Sequence, residues 1–325
     1  MNVSYVLPIK WDEHQQIDEL TAYLEYLSPN TDLIIVDGSG SAAFNKHKRT
    51  WSALGTHIAP HAQFKFLNGK VNGVLTGLAK AKYPHVIIAD DDVRYTLAQL
   101  LEVEQLLLDN QLVIPQNYFD PCPWHAQWDT SRSLLNLALV HDYPGTLAIQ
   151  RDFILSVGGY DGNVLFENLE LIRTVKAGNG LVLHRSDLFI RRLPPSAEHF
   201  WSQRVRQAYD DYAQPARWLF FILLIPALIA LSTYSLWLLL IPMFAAILVA
   251  EAGRQKSGGA HVFRASCSLF APVWLLERGI CTWLAVFDRL VKGGVLYSGS
   301  IISNAANPLS KIRKRIRSIE PIKPL

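Results

Sequence analysis

Between Trp218 and Ala250 the chain carries no formal charge, and only Ser232, Thr233, Tyr234 and Ser235 interrupt the apolar run. A single helix over this stretch, about 33 residues, would be about 50 Å long, well past the roughly 30 Å hydrocarbon core of a bilayer. Two shorter helices turning at Ser232–Ser235 match that thickness. A hairpin buried in a soluble core is the competing reading, and the absence of charge weighs against it. Half of the 325 residues are hydrophobic and 18% are charged, but the excess is local, since residues 1–212 have the composition of an ordinary globular domain.

The basic residues frame this run. Arg204, Arg206 and Arg217 precede it, Arg254 and Lys256 follow, and Lys311, Arg313, Lys314, Arg315 and Arg317 form a basic tail. The positive-inside rule places all three groups in the cytosol, which favours two spans over three. A further apolar segment, Ser268–Leu290, contains Glu277, Arg278, Asp288 and Arg289, and such charges at mid-depth of a span are costly. With Trp274, Trp283 and Phe287 beside them, the segment reads as a helix lying in the interface.

Met1 leads straight into the strand-like Val3–Leu7 rather than into a signal peptide, so the first 200 or so residues are expected in the cytosol. The expectation is an integral membrane protein with its catalytic domain on the cytoplasmic side, in a bacterial inner membrane. Its parts are a 1–212 domain, a 213–252 transmembrane hairpin, and a 253–325 region of interfacial helix and basic cytoplasmic tail. A net charge of +3 gives no reason to expect a nucleic-acid partner. Cys122, Cys267 and Cys281, an odd number without metal-ligand spacing, read as free, inert thiols in a reducing compartment.

The first half alternates short apolar strands with amphipathic helices. Strands are expected at Val3–Leu7, Leu33–Val36, Val86–Ala89, Leu112–Ile114 and Gly145–Ile149, and helices at 12–27, 70–82, 97–108 and 165–177. Strands without polar alternation, joined by helices, predict an α/β domain with a mostly parallel, Rossmann-like sheet covered on both faces. The stretch 115–145, rich in Pro, Asp and aromatic residues, reads as a substrate-facing excursion, with Trp124, His125 and Trp128 either a sugar- or lipid-stacking loop or a packed one.

In open parallel sheets ligands bind beyond the carboxyl ends of the strands. Asp37 ends one apolar strand, and Asp90, Asp91 and Asp92 end another. Asp90 and Asp92 can reach one hard cation together, and Mg²⁺ or Mn²⁺ is typically held by one or two carboxylates plus substrate phosphates. The bland alternative is a polar turn capping the next helix. His141-Asp142 and Glu198-His199 beside Trp201 are further candidates for an acceptor site, or structural polar groups.

In order and spacing, Pro8, the run Val36-Asp37-Gly38-Ser39, Gly69-Lys70 and Asp90-Asp91-Asp92 resemble family-2 glycosyltransferases of the GT-A fold. Gly145-Thr146, Arg151, Gly158–Asp161 and Phe166–Leu171 resemble that family's acceptor-side segments, and Gln203–Gln207 its membrane-bound Gln-x-x-Arg-Trp motif. The similarity covers roughly residues 3–212 and leans toward membrane enzymes acting on lipids, of ceramide or hopanoid type. It implies a transferase moving a sugar from a nucleoside-diphosphate sugar, UDP-linked by expectation, to a membrane lipid or lipid-linked acceptor, with inversion and a divalent metal.

By that resemblance Pro8, Asp37 and Ser39 belong to the nucleotide site, with Asp37 contacting the nucleoside and Lys70 near the nucleotide. Asp90 and Asp91 would face the sugar diphosphate, Asp90 and Asp92 the metal, and Gln203 and Arg206 the pyrophosphate and acceptor mouth. For Lys70 and Arg206 simple solvation is the alternative. The family places its general base, an Asp, where this chain has Asn168, and an amide cannot accept the proton. Glu167 and Glu170, sharing a helical face, are the available carboxylates, with ordinary surface acids as the alternative. Gln207 replaces the motif's Trp. A degenerate transferase that binds nucleotide-sugar as a scaffold or partner subunit is the second reading.

Overall fold

The computed structural model describes residues 1–12, 14–297 and 299–325. In chain order the elements are β1 (Val3–Ile9), α1 (Asp18–Leu27), β2 (Asp32–Asp37), α2 (Ser41–Trp51), β3 (Thr56–Ile58), α3 (Gly69–Lys80), β4 (His85–Ala89), β5 (Val93–Arg94) and α4 (Leu97–Leu106). There follow β6 (Leu112–Phe119), α5 (Trp124–Leu139), β7 (Thr146–Gln150), α6 (Arg151–Ser156), α7 (Glu167–Ala177), β8 (Val182–Arg192), α8 (Ala197–Ser202) and α9 (Arg204–Tyr209). The last are α10 (Pro215–Tyr234), α11 (Leu240–Gln255), α12 (Ser266–Leu269), α13 (Ala271–Lys292), β9 (Val295–Tyr297), β10 (Ser300–Ile302) and α14 (Leu309–Ser318). The helix expected at 12–27 begins at Asp18, and residue 13 of that span lies outside the described residues.

The chain forms two compact units, each discontinuous in sequence. The first holds residues 1–115, 144–185 and 307–325, and the second 116–143 and 186–306. These bounds differ from the linear division at 212 and 252. The basic tail returns to the first unit, where α14 packs on α7. Its docking needs close backbone approach. Gly158 and Gly159 adopt φ of 72° and 67°, and a Cβ on Gly158 would lie 2.5 Å from Ile319 Cγ2. Glycine alone meets both demands.

In the first unit β2, β1 and β4 are fully apolar in their centres, and almost all of their residues are buried. That pattern suits strands covered on both faces. The sheet order is β3-β2-β1-β4-β7-β6-β8-β5. β3, β2, β1 and β4 run parallel, while β7 pairs antiparallel with both β4 and β6. Helix α3 lies against β1 and β2, and Gly73 and Gly77 permit the contact, since a Cβ on Gly77 would sit 2.4 Å from Val6 Cγ1. The chain leaves β1 toward β2 on one side and reaches β4 on the other, which makes the carboxyl ends of β1 and β4 a topological switch point. The α/β expectation holds.

In the second unit α10 and the continuous helical stretch Leu236–His261, which contains α11, are long and apolar enough to cross a membrane, and in the most apolar part of each only 6% and 17% of residues are buried. Ser235 separates them, accepting a hydrogen bond from Trp237 N and starting a short 3-10 turn. Helix α13 packs on both. Two of its charges, Glu277 and Arg278, turn inward. Glu277 approaches Arg204 at 3.5 Å, and Arg278 approaches Asp211 at 3.6 Å. Its other side exposes Leu276, Ile280, Trp283, Leu284 and Phe287, a spacing of one helical face. The stretch expected as a loop around Trp124 is instead the helix α5, packed on α11.

Candidate active site

The turn after β4 is tight: Val93 N donates to Asp90 O at 3.1 Å, and Asp90 N donates to Gly145 O at 2.9 Å. Asp90, Asp91 and Asp92 are thereby held, half-buried, at a strand end. The loop after β1 reaches across to them. Trp11 donates its backbone N–H to Ser39 Oγ at 2.8 Å and its indole N–H to Asp91 Oδ2. Ser39 N in turn donates to Asp37 Oδ1 at 2.9 Å. Three strand ends are thus joined through Trp11, a residue the sequence reading passed over. Pro8 stays within β1, opposite Val36, with Gly73 against its ring.

Lys70 sits between two carboxylates, its Nζ 2.5 Å from Asp90 Oδ1 and 2.8 Å from Glu167 Oε1. Burial alone would lower the ammonium's pKa, but the charges of Asp90 and Glu167 outweigh it and raise it. Asn68 explains how residues so far apart in sequence meet. Its side chain caps α3 by accepting from Lys70 N at 3.1 Å and donates to Val164 O at 3.2 Å and Leu165 O at 3.4 Å. That ties the start of α3 to the loop that delivers Glu167 at the first turn of α7. Burial, with the Glu167 charge adding to it, pushes the neighbouring Tyr160 phenol up; the phenol is a neutral wall.

The other two candidates for the base differ from Glu167. Asn168 spends its amide N–H on Pro144 O at 3.0 Å. Glu170 is fully buried and points into the core. It accepts from Asn307 N at 2.7 Å and Nδ2 at 3.0 Å, and Asn307 also donates to Asp161. Burial raises the Glu170 carboxyl, opposed by those hydrogen bonds. Its geometry is that of a clamp on the returning tail.

Asp37 is also buried, at 1% exposure, and its Oδ2 meets His47 Nδ1 at 2.7 Å and His57 Nε2 at 3.0 Å. These three are the one trio of His, Cys, Asp or Glu side chains among the described residues whose ligand atoms lie close enough together to hold a metal. Their second ring nitrogens, His47 Nε2 and His57 Nδ1, lack hydrogen-bond partners. Metal-bound imidazoles nearly always donate that second N–H, so the arrangement fits two rings donating to one carboxylate better than a metal centre. Burial pushes the Asp37 carboxyl up, but hydrogen bonds from His57, Ser39 and His47 hold it well below the usual range. Neither histidine stood out in the sequence, because the three converge from β2, α2 and β3.

Gln203 and Arg206 belong to the second unit. Gln203 links α8 to α9 and donates to Ser202 Oγ at 3.0 Å, while the Arg206 guanidinium lies 5.2 Å from the Tyr297 ring centre. Their neighbour Arg204 is buried, paired with Asp129 at 3.2 Å and stacked 4.1 Å over Phe200. Asp142 is likewise structural, bound by Arg132 and Asn136 at 2.8 Å each. Trp124, Trp128, Phe200 and Trp201 form one aromatic cluster, in which Trp124 and Trp201 stay exposed.

No protein-family model matches the chain, and no curated protein matches it. Solved structures do. A mannosyltransferase from Pyrobaculum calidifontis, in complex with GDP-Man and Mn²⁺, is similar at 15% identity and TM-score 0.48, over 87% of each chain. Glucosyl-3-phosphoglycerate synthase from Mycobacterium tuberculosis, in complex with Mn²⁺ and UDP-Glc, is similar at 20% identity and TM-score 0.41, over 64% of this chain and 77% of that one. A mycobacterial protein is similar at 16% identity and TM-score 0.43, over 61% of this chain and 69% of that one.

Proposed function

We propose that the chain is a membrane-anchored glycosyltransferase of GT-A type. It moves a sugar from a nucleoside-diphosphate sugar, UDP-linked in the first instance, to a lipid or lipid-linked hydroxyl, with inversion. The observation that carries this reading is the Lys70 ammonium held between Asp90 and Glu167 at the end of a parallel strand. Two acids and a mobile cation at a switch point suit an anionic substrate that departs as a diphosphate.

The strand-end turn fits a hard divalent cation. Its donors are carboxylate oxygens, Asp90 and Asp92 lie two residues apart and half-buried, and a cation is already drawn to Asp90. Mg²⁺ or Mn²⁺ held there would neutralise charge on the departing diphosphate. Lys70 has a flexible stem, and an incoming phosphate offers it a stronger anionic partner than Glu167. Its transfer to the phosphate frees the Glu167 carboxylate. Glu167 then takes the acceptor hydroxyl's proton as the oxygen bonds to the anomeric carbon and the bond from that carbon to the diphosphate oxygen breaks. Asn168 takes no proton and holds the loop at Pro144. Asp37, enclosed by His47 and His57, acts on the nucleotide through Ser39 and Trp11. The apolar α10 and α11 anchor the enzyme, with its catalytic domain on the cytoplasmic side.

A second reading, a nucleotide-sugar-binding scaffold, is favoured by one observation: Asn168 stands where a base is expected, with its amide already engaged. Thermal melting separates the readings from a wholly unrelated function. A UDP-sugar with Mn²⁺ is expected to raise the Tm of the purified protein, and Asp92→Asn to abolish the Mn²⁺-dependent part. No stabilisation by any nucleotide-sugar, with or without Mn²⁺, would contradict both.

A further inference from the structure

In the second unit a cavity of about 290 Å³ is lined by two of the three cysteines, Cys122 and Cys267, together with Thr130, Phe189, His261 and Arg264. Cys122, before α5, is half-buried, and Cys267, in α12, is fully buried. Both belong to one packed cluster and line the same cavity. All three cysteines are free, as the sequence leads one to expect. The neighbouring Cys267, opposed by burial and aided by the Arg264 charge, draws the Cys122 thiol down to about 7. The neighbouring Cys122 and burial push Cys267 up. Cys122 is thus the more exposed and the more acidic of the two, and Cys267 the buried one.

We propose that Cys122 and Cys267 are a redox-modifiable pair that closes to a disulfide, with Cys122 the attacking thiol reached through the cavity and Cys267 the resolving thiol. The oxidant is a hydroperoxide. The Cys122 thiolate attacks the terminal peroxide oxygen, an S–O bond forms and the O–O bond breaks, and the departing oxygen leaves as water or an alcohol after protonation. The Cys267 sulfur then attacks the sulfenic sulfur, the S–S bond forms, and the S–O bond breaks with loss of water carrying the Cys267 proton. Two thiols lose two electrons and the peroxide gains them. The cross-link ties the β6–α5 connection to α12 and fixes one wall of the cavity. Cys281 takes no part: it is buried on α13, and burial with the Glu277 charge pushes its thiol up to about 12.

The test is titration of the reduced full-length protein, in detergent micelles, with hydrogen peroxide. The expected result is a fall in the denatured thiol count from three to one, a mass loss of two hydrogens, a Cys122–Cys267 linked peptide, and full reversal by dithiothreitol. Cys267→Ser is expected to stop at a sulfenic acid on Cys122 that dimedone traps, and Cys122→Ser to keep its two remaining thiols. Three unchanged thiols, a Cys122 sulfinate with Cys267 still free, or a cross-link between two molecules would each overturn the proposal.

Discussion

Lys70→Met keeps the length of the side chain and removes the ammonium that bridges Asp90 and Glu167. The wild-type ion pairs are short, 2.5 and 2.8 Å, and the groups involved are only 14–23% exposed. Removing one partner of a fully buried pair costs about 3–5 kcal/mol, and an exposed pair is worth at most about 1 kcal/mol. The partial burial here places the loss at about 2–3 kcal/mol. For a body of this size that is a fall in Tm of about 4–12 °C. The raised Lys70 pKa fixes the pH behaviour. Its stabilisation is fully present below the unfolded lysine value, about 10.4, and is lost only as pH rises through the folded one. The gap between wild type and variant should therefore be constant from pH 7 to 9. Scanning calorimetry at pH 7 and pH 9, with hydrogen exchange at the starts of α3 and α7, reads it. A variant melting within about 1 °C of wild type, with unchanged exchange at both helix starts, would refute the reasoning.

Asn168→Asp places a carboxylate against the Pro144 carbonyl and is expected to lower stability by about 1–3 kcal/mol in chemical denaturation, without raising turnover. Asp37 holds its carboxyl below the ordinary range, so its contribution is present above about pH 4 and fades as pH falls; Asp37→Asn should flatten the acid limb of a Tm-against-pH curve. Gly253→Ala drives a methyl to 1.9 Å from Leu134 O, where α11 meets α5, and is expected to cost about 3 kcal/mol or to abolish detergent-stable expression, read by size-exclusion profile. Asp92→Asn should end sugar transfer while the circular dichroism spectrum stays that of wild type.

The parallel half of the sheet was legible because its strands carry their burial in the sequence: Tyr5–Ile9, Leu33–Val36 and Val86–Ala89 are continuous apolar runs. The hairpin was legible because charge is absent over a span-length stretch. Helix α5 was not, since Pro121, Pro123 and the tryptophans suggest a loop, and packing against α11, α12 and α13 holds the helix. Strand β8 was missed because its polar run Arg185-Ser186-Asp187 lacks strand periodicity. At the site, Asp37, Lys70, Asp90 and Glu167 announce themselves by type and position. Trp11, His47, His57, Asn68 and Asn307 act through partners distant in sequence, and nothing in their neighbours marks them.

Product formation by the purified full-length protein tests the account most directly. With a panel of UDP-sugars, Mn²⁺ and extracted membrane lipids, wild type is expected to yield a glycosylated lipid and free UDP, and Glu167→Gln to bind the same donor without forming product. Equal product from Glu167→Gln, or donor binding with no product from wild type against any lipid in the panel, would contradict it.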